Sequence, residues 1–152
     1  MDVDATVRLR GVVNRLSRQF NASARHEGLT PTQASVLGLI AFRESMSLTD
    51  VATLEGLNPT MVSRVIGRLD ELGLIVRQPS AADLRVTLVA LTPEGQAMHK
   101  RVKQQKGQVI ADGLDRLDDA DQASIMAALP ALEALSGALS PRPRPSGPNE
   151  PR

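Results

Sequence analysis

The sequence predicts a mainly α chain with a small β-hairpin wing, and three observations predict it. Apolar residues recur at helical spacing in every long segment except residues 74–91, where a short apolar run, a turn and an alternating run follow one another. Aromatic residues make up 1% of the 152 residues, Phe20 and Phe42 alone, so the core must be packed from Leu, Val, Ile and Ala, a composition that favours helices. A short and a longer helical pattern are joined by a Gly-containing turn just before the hairpin. By length the chain is one domain, with 5–139 folded and 140–152 as an extension.

The first helix is expected over 5–27, where Leu9, Val13, Leu16 and Phe20 are spaced by four, three and four. Arg8, Arg10, Arg15 and Arg18 surround that stripe as a solvated cationic face. Gly28 ends it. Thr30-Pro31-Thr32-Gln33 is a capping-box start with proline at the first helical position, and the helix behind it carries Val36, Leu37, Leu39, Ile40 and Phe42. With so many apolar positions it is expected to be central, Phe42 included. Ser47-Leu48-Thr49-Asp50 starts a short helix through 55 that packs Val51, Ala52 and Leu54, and Gly56 permits a tight turn.

Asn58 can accept from the orphan amides of the next helix, and Pro59 suits a first position that needs no N–H. Val62, Val65, Ile66, Leu69 and Leu72 form its apolar stripe, and Gly73 stops it. Its opposite face is Thr60, Met61, Ser63, Arg64, Gly67 and Arg68, short, hydroxylic and cationic, which is the chemistry that base edges and phosphates require. Two helices of about eight and fourteen residues around a Gly turn match a helix-turn-helix. The hairpin follows at once: Leu74 to Gln78, a turn from Pro79 to Asp83, then Leu84 to Leu91 with Val86, Leu88 and Ala90 on one side and Arg85, Thr87 and Val89 on the other. Together, 30–92 read as a winged helix-turn-helix.

Thr92-Pro93-Glu94-Gly95 caps a long polar helix to about 116, with Met98, Val102, Val109, Ile110, Leu114 and Leu117 as a sparse stripe beside a solvated Lys100, Arg101, Lys103 and Lys106. Asp118 to Asp121 start a last helix carrying Ile125, Met126, Leu129, Leu132, Leu135 and Leu139, and Pro130 within it predicts a kink or break. Residues 5–27 and 93–139 therefore present apolar stripes that 30–92 cannot cover. They form either an association surface between two copies or an intramolecular bundle. The tail from Ser140 is rich in Pro and Arg without an apolar anchor and is expected to be disordered.

Several chemistries are excluded by composition. With no cysteine there are no disulfides, thiolate nucleophiles or thiol redox sensors, and His26 and His99, far apart in sequence, are expected on helix surfaces rather than at a metal. No nucleophile elbow, phosphate loop or metal-spaced cluster is present, so neither an enzyme nor a cofactor is expected. No secretory leader and no apolar run approaching a membrane span is expected either, which predicts a cytoplasmic protein with no membrane partner. Net charge is +1. Between Arg43 and Thr92 five arginines, Arg43, Arg64, Arg68, Arg77 and Arg85, face six carboxylates, so placement matters more than the total.

Arg77 followed by Asp83-Leu84-Arg85 and then Leu91-Thr92-Pro93-Glu94-Gly95 resembles the wing signature of the MarR (multiple antibiotic resistance regulator) family. Leu48-Thr49-Asp50-Val51-Ala52, the Ser63-Arg64 pair and Arg68-Leu69-Asp70-Glu71-Leu72-Gly73-Leu74-Ile75 are similar to that family's helix-turn-helix, and the resemblance covers about residues 5–139. It implies a transcriptional regulator, a repressor of a palindromic operator in double-stranded DNA, working as a homodimer with the first and last two helices interlocked. Carried across, Thr60, Ser63, Arg64 and Arg68 belong on the major-groove helix, Arg85 at the wing tip in the minor groove, Asp83 as its positioning partner, and Arg77 on a strand near the backbone. Asp83 is equally compatible with a plain turn role. A small hydrophobic or anionic effector is also implied, in a site that would be aliphatic here because Tyr and Trp are missing. A winged-helix module for protein partners and an architectural, non-specific DNA binder are the alternatives.

Overall fold

The computed structural model describes residues 3–139. It contains α1 (Val3–His26), α2 (Pro31–Arg43), β1 (Ser45–Ser47), α3 (Leu48–Glu55), α4 (Pro59–Glu71), β2 (Ile75–Pro79), β3 (Thr87–Leu91), α5 (Pro93–Leu114) and α6 (Asp119–Leu139). The expected disordered tail lies outside the described residues. One unit of the chain ends at Gly113 and a second begins at Leu114.

In the first unit the helix starts follow from side-chain caps. Thr30 Oγ1 accepts from the Gln33 amide at 3.2 Å while Gln33 Oε1 accepts from the Thr30 amide at 2.9 Å, a complete capping box. Ser47 Oγ accepts from the Asp50 amide and Asn58 Oδ1 from the Met61 amide. The stop of α4 is equally explicit: Gly73 takes φ 69, and its amide bonds Asp70 O at 2.8 Å while the Leu74 amide bonds Leu69 O at 2.9 Å. A left-handed glycine with these two bonds ends the helix and throws Leu74, buried, into the core.

The core is aliphatic. Val36, Leu37 and Ile40 of α2, Val51 of α3 and Val62, Ile66 and Leu69 of α4 are buried together with Met46, Ile75 and Val89 of the sheet. Each such side chain contributes about 1.5–3 kcal/mol by leaving water. Phe42 departs from expectation, being 82% exposed. Two residues beyond Ile40 it is rotated by about 200° from the buried face, so its hydrophobicity cannot bring it inside. Leu72, expected in the α4 stripe, is the exposed C-cap residue, because the helix ends before the stripe does.

The sheet has the order β1-β3-β2, all antiparallel. β1 has no counterpart in the sequence expectation. It is three residues long and its partner is β3, more than forty positions away, so no local periodicity announces it. The inward face of the wing is also the reverse of the apolar side: Met46, Val89, Ile75 and Leu91 share one face through the pairs Met46↔Val89 and Ile75↔Leu91, and Val89 is buried while Val86 is exposed. Register with two neighbours, not hydrophobicity along β3, selects the buried parity.

α5 begins where Thr92 Oγ1 accepts from the Gly95 amide at 3.0 Å and donates to Gly73 O at 2.6 Å. Its middle is tied to the turn after α1 through Glu27, whose carboxylate accepts from Arg101 Nε at 2.9 Å and Gln105 Nε2 at 2.5 Å. His99 does not stand on an open surface as expected: it packs on α2, its Cε1 lying 3.5 Å from where a Cβ on Gly38 would stand. Partial burial, then the charges of Lys103 and Lys106, push its pKa below the ordinary histidine value of 6.5.

In the second unit α6 runs unbroken through Pro130. Of the kink or break expected at Pro130, a break does not occur, since the proline removes one N–H and the remaining ladder carries the helix across it. Nor does the expectation that no segment approaches a membrane span hold. α6 is 21 residues long with a mean hydropathy of 1.2 over its most apolar window, long and apolar enough by length and composition. After Asp121 its only ionisable residue is Glu133, and alanines fill the face opposite the leucines. No residue of α6 is buried within the chain.

Candidate nucleic-acid interface

The inward and outward faces of α4 are chemically distinct. Val62, Val65, Ile66 and Leu69 are buried, and the other side presents Thr60, Met61, Ser63, Arg64 and Arg68 to solvent. The helix is 13 residues, hence about 20 Å, and α3 packs beside it across the Gly56 turn, where φ is 63. Pro59 and the Asn58 cap leave the first turn pointing outward with its remaining amides unpaired by helix carbonyls, so the dipole's positive end and the hydroxyl-bearing residues coincide.

Of the seven residues expected at the site, Thr60, Ser63, Arg64 and Arg68 share this face. Arg77, Asp83 and Arg85 lie on the wing. In the turn between β2 and β3 Asp83 accepts twice from the Arg85 side chain, from Nε to Oδ1 at 3.1 Å and from Nη2 to Oδ2 at 3.2 Å, and its Oδ1 also accepts the Arg85 amide at 3.0 Å. Asp83 is therefore both the turn residue and the guanidinium's holder, two roles the sequence left open. Arg85 remains 91% exposed, held in one orientation yet open to a partner. Leu84 beside it is exposed as well.

The Arg85 side chain, then its amide, lower the Asp83 pKa from the ordinary 3.8. A depressed carboxylate pKa means that the charged, locked form prevails above the ordinary value and is lost as pH falls through the lowered one. We expect the Asp83 carboxyl to titrate below 3.8 by carbon-13 NMR and to rise toward that value in Arg85→Ala, which removes the guanidinium but keeps the amide. Titration of the parent at or above 3.8 would show that the turn does not hold the guanidinium in solution.

Two further residues were not expected. Asp70 Oδ2 accepts from Arg77 Nε at 3.0 Å, tying β2 to α4, and Glu71 Oε2 accepts from Arg68 Nη1 at 3.0 Å. The Arg68–Glu71 spacing of three was legible as a helical pair. The Asp70–Arg77 contact follows from register: Arg77 pairs with Val89 and so shares the sheet face that meets α4. Arg64 has no ion-pair partner among the described residues. One cleft of about 170 Å³ lies between α3 and α4, lined by Leu48, Thr49, Ala52, Pro59, Val62 and Ser63, and a more open one of about 310 Å³ lies on the wing at Arg77, Gln78, Pro79 and Thr87. Among the described residues no three His or carboxylate side chains gather as metal ligands would.

A three-helix core, a Gly-turned helix pair and a two-stranded wing closed by a third short strand define a winged helix-turn-helix protein. Residues 27–85 match the model of the MarR family. The chain is 30% identical over 106 residues to a protein of Thauera aromatica named as a candidate regulator of the hcr operon, a match spanning 70% of this chain and 64% of that relative. Among solved structures it resembles RV1404 from Mycobacterium tuberculosis, with a TM-score of 0.76 and 26% identity over 90% of this chain and 96% of that one. It shares the fold of a MepR variant from S. aureus bound to an oligodeoxyribonucleotide, with a TM-score of 0.67 and 18% identity over 88% of this chain and 97% of that one. The chain is thus similar to transcriptional regulators of the MarR family, over residues 27–85 by the family model and over 64% of the length of the Thauera relative.

Proposed function

We propose that the protein acts as a homodimer on a near-palindromic operator in double-stranded DNA, repressing transcription by covering a promoter. The observation that carries this reading is the outward face of α4, with Arg64 in no ion pair among the described residues and Thr60 and Ser63 in its first turns, beside a wing tip whose Arg85 is oriented by Asp83. In this reading the N-terminal turns of α4 enter the major groove, Thr60, Ser63 and Arg64 meeting base edges and Arg68 the backbone, while Arg85 enters the flanking minor groove and Arg77 lies near the phosphates.

Dimerisation rests on uncovered apolar surface. Leu9, Val13 and Leu16 of α1 are 41–51% exposed, and Val109 and Ile110 of α5 and Ile125, Met126, Leu129, Leu132 and Leu135 of α6 are exposed as well. An exposed apolar area on this scale requires a partner surface. A second copy supplies it symmetrically, which makes 5–27 and 93–139 the dimerisation region and 30–92 the DNA-binding part of one domain. The same cover accounts for α6 without a membrane and suits a cytoplasmic regulator. Two α4 helices would then stand about one DNA turn, roughly 34 Å, apart. Release by a small hydrophobic or anionic effector fits the same scheme, because any change in that separation disengages one half-site; it needs no bound cofactor.

Selection of bound sequences from random duplex DNA tests the reading. We expect an inverted repeat with half-sites about 10 base pairs apart, and binding that weakens steeply with salt. Salt-dependent binding without any enriched motif would make the protein an architectural binder, and no duplex binding at all would make its cationic face a protein-docking surface.

A further inference from the structure

Resting on the DNA-binding reading above, the geometry points to Asp70 and Glu71 as a brake on sequence-independent DNA binding, acting by occupying Arg77 and Arg68. Of the arginines on α4 and the wing, only Arg64 is without an ion-pair partner among the described residues; Arg68 lies on Glu71, Arg77 on Asp70 and Arg85 on Asp83, each at 3.0–3.1 Å. These pairs differ in kind. Asp83 holds Arg85 from within the same turn and leaves the guanidinium 91% exposed, so it aims the cation outward. Asp70 and Glu71 stand on the last turns of α4, and their partners are more covered, 40% exposed for Arg77 and 53% for Arg68. Both carboxylates are themselves solvent-facing, and neither contributes to the core.

Non-specific affinity for DNA comes from cations that displace condensed counterions at phosphates, with a salt slope near 0.9 for each contact. An arginine already facing a carboxylate brings no net charge to a phosphate and releases little. A chain of net charge +1 with six carboxylates among the residues of its winged helix thus holds its sequence-independent attraction low. Binding then depends on the base-reading turns at the other end of α4. An exposed pair is weak, worth a factor of about two to five, so a well-registered phosphate can still exchange for the carboxylate.

The test uses the full chain and a random-sequence duplex, with affinity measured across a salt series. Asp70→Asn and Glu71→Gln should each strengthen binding about two- to fivefold near 0.1 M salt and steepen the salt slope by up to about 0.9. The gain from Asp70→Asn should vanish when Arg77→Gln is already present, and that from Glu71→Gln when Arg68→Gln is present, since each carboxylate acts through its own arginine. An unchanged slope in the single variants overturns the proposal. So does a gain that survives in the double variants, which would mean long-range charge rather than these pairs. A purely structural role predicts a lower melting temperature with no change in slope and also overturns it. If the parent binds no duplex at any salt, the DNA-binding reading itself fails, and that outcome is distinct from the others.

Discussion

Gly95→Ala is expected to lower stability by about 3 kcal/mol, a fall of roughly 6 to 12 °C in melting temperature for a chain of this size. A Cβ at position 95 would stand 1.9 Å from Leu74 O and 2.9 Å from Leu74 C, backbone atoms that cannot swing aside. Leu74 O also accepts the Thr92 amide at 3.1 Å, and Thr92 Oγ1 joins Gly73 O to the Gly95 amide. The start of α5 is thus stacked on the turn that ends α4, and any side chain at 95 pushes both the exit of the wing and the end of that helix. Gly67→Ala is the contrast. It lies within α4 with nothing within 4 Å of its Cβ position, so the alanine should be neutral or stabilising by up to about 1 kcal/mol. A Gly95→Ala protein that melts within 2 °C or so of the parent would mean that the two turns are not in contact in solution.

Arg64→Ala is expected to weaken binding to the selected operator by about 1–3 kcal/mol, roughly 5- to 150-fold, while changing affinity for random duplex much less. Arg64 is exposed in the first half of α4, beside Ser63, and has no ion-pair partner among the described residues to give up. Arg68→Ala should cost less, because Arg68 must first leave Glu71 and stands one turn further from the helix start. The variant's melting curve should match the parent's, since Arg64 supports nothing in the core. Equal losses on operator and random DNA for Arg64→Ala would reassign it from base edge to phosphate.

Helix ends were legible because caps are local chemistry. Thr30 with Gln33, Ser47 with Asp50, Asn58 before Pro59 and Thr92 before Gly95 each place an acceptor within three residues of the amide it satisfies, and every one of these bonds is formed. Gly56 and Gly73 were legible as helix ends for the same reason and take φ 63 and 69. The outward face of α4 could be named residue by residue, since helical periodicity alone separates it from Val62, Val65, Ile66 and Leu69. Phe42 shows the limit of that method: its hydrophobicity suggested burial, while its angular position on α2 excluded it.

The sequence by itself determined where each helix begins and stops and which side of α4 is polar, because these depend on interactions over three or four residues. Only the tertiary structure decided that Ser45–Ser47 is a strand, that Val89 rather than Val86 faces inward, that Asp70 reaches Arg77 and that Gly95 must admit the carbonyl of Leu74. Each of these depends on the register between segments far apart in the chain. Such register is set by the packing of whole elements, and no pattern within one element encodes it.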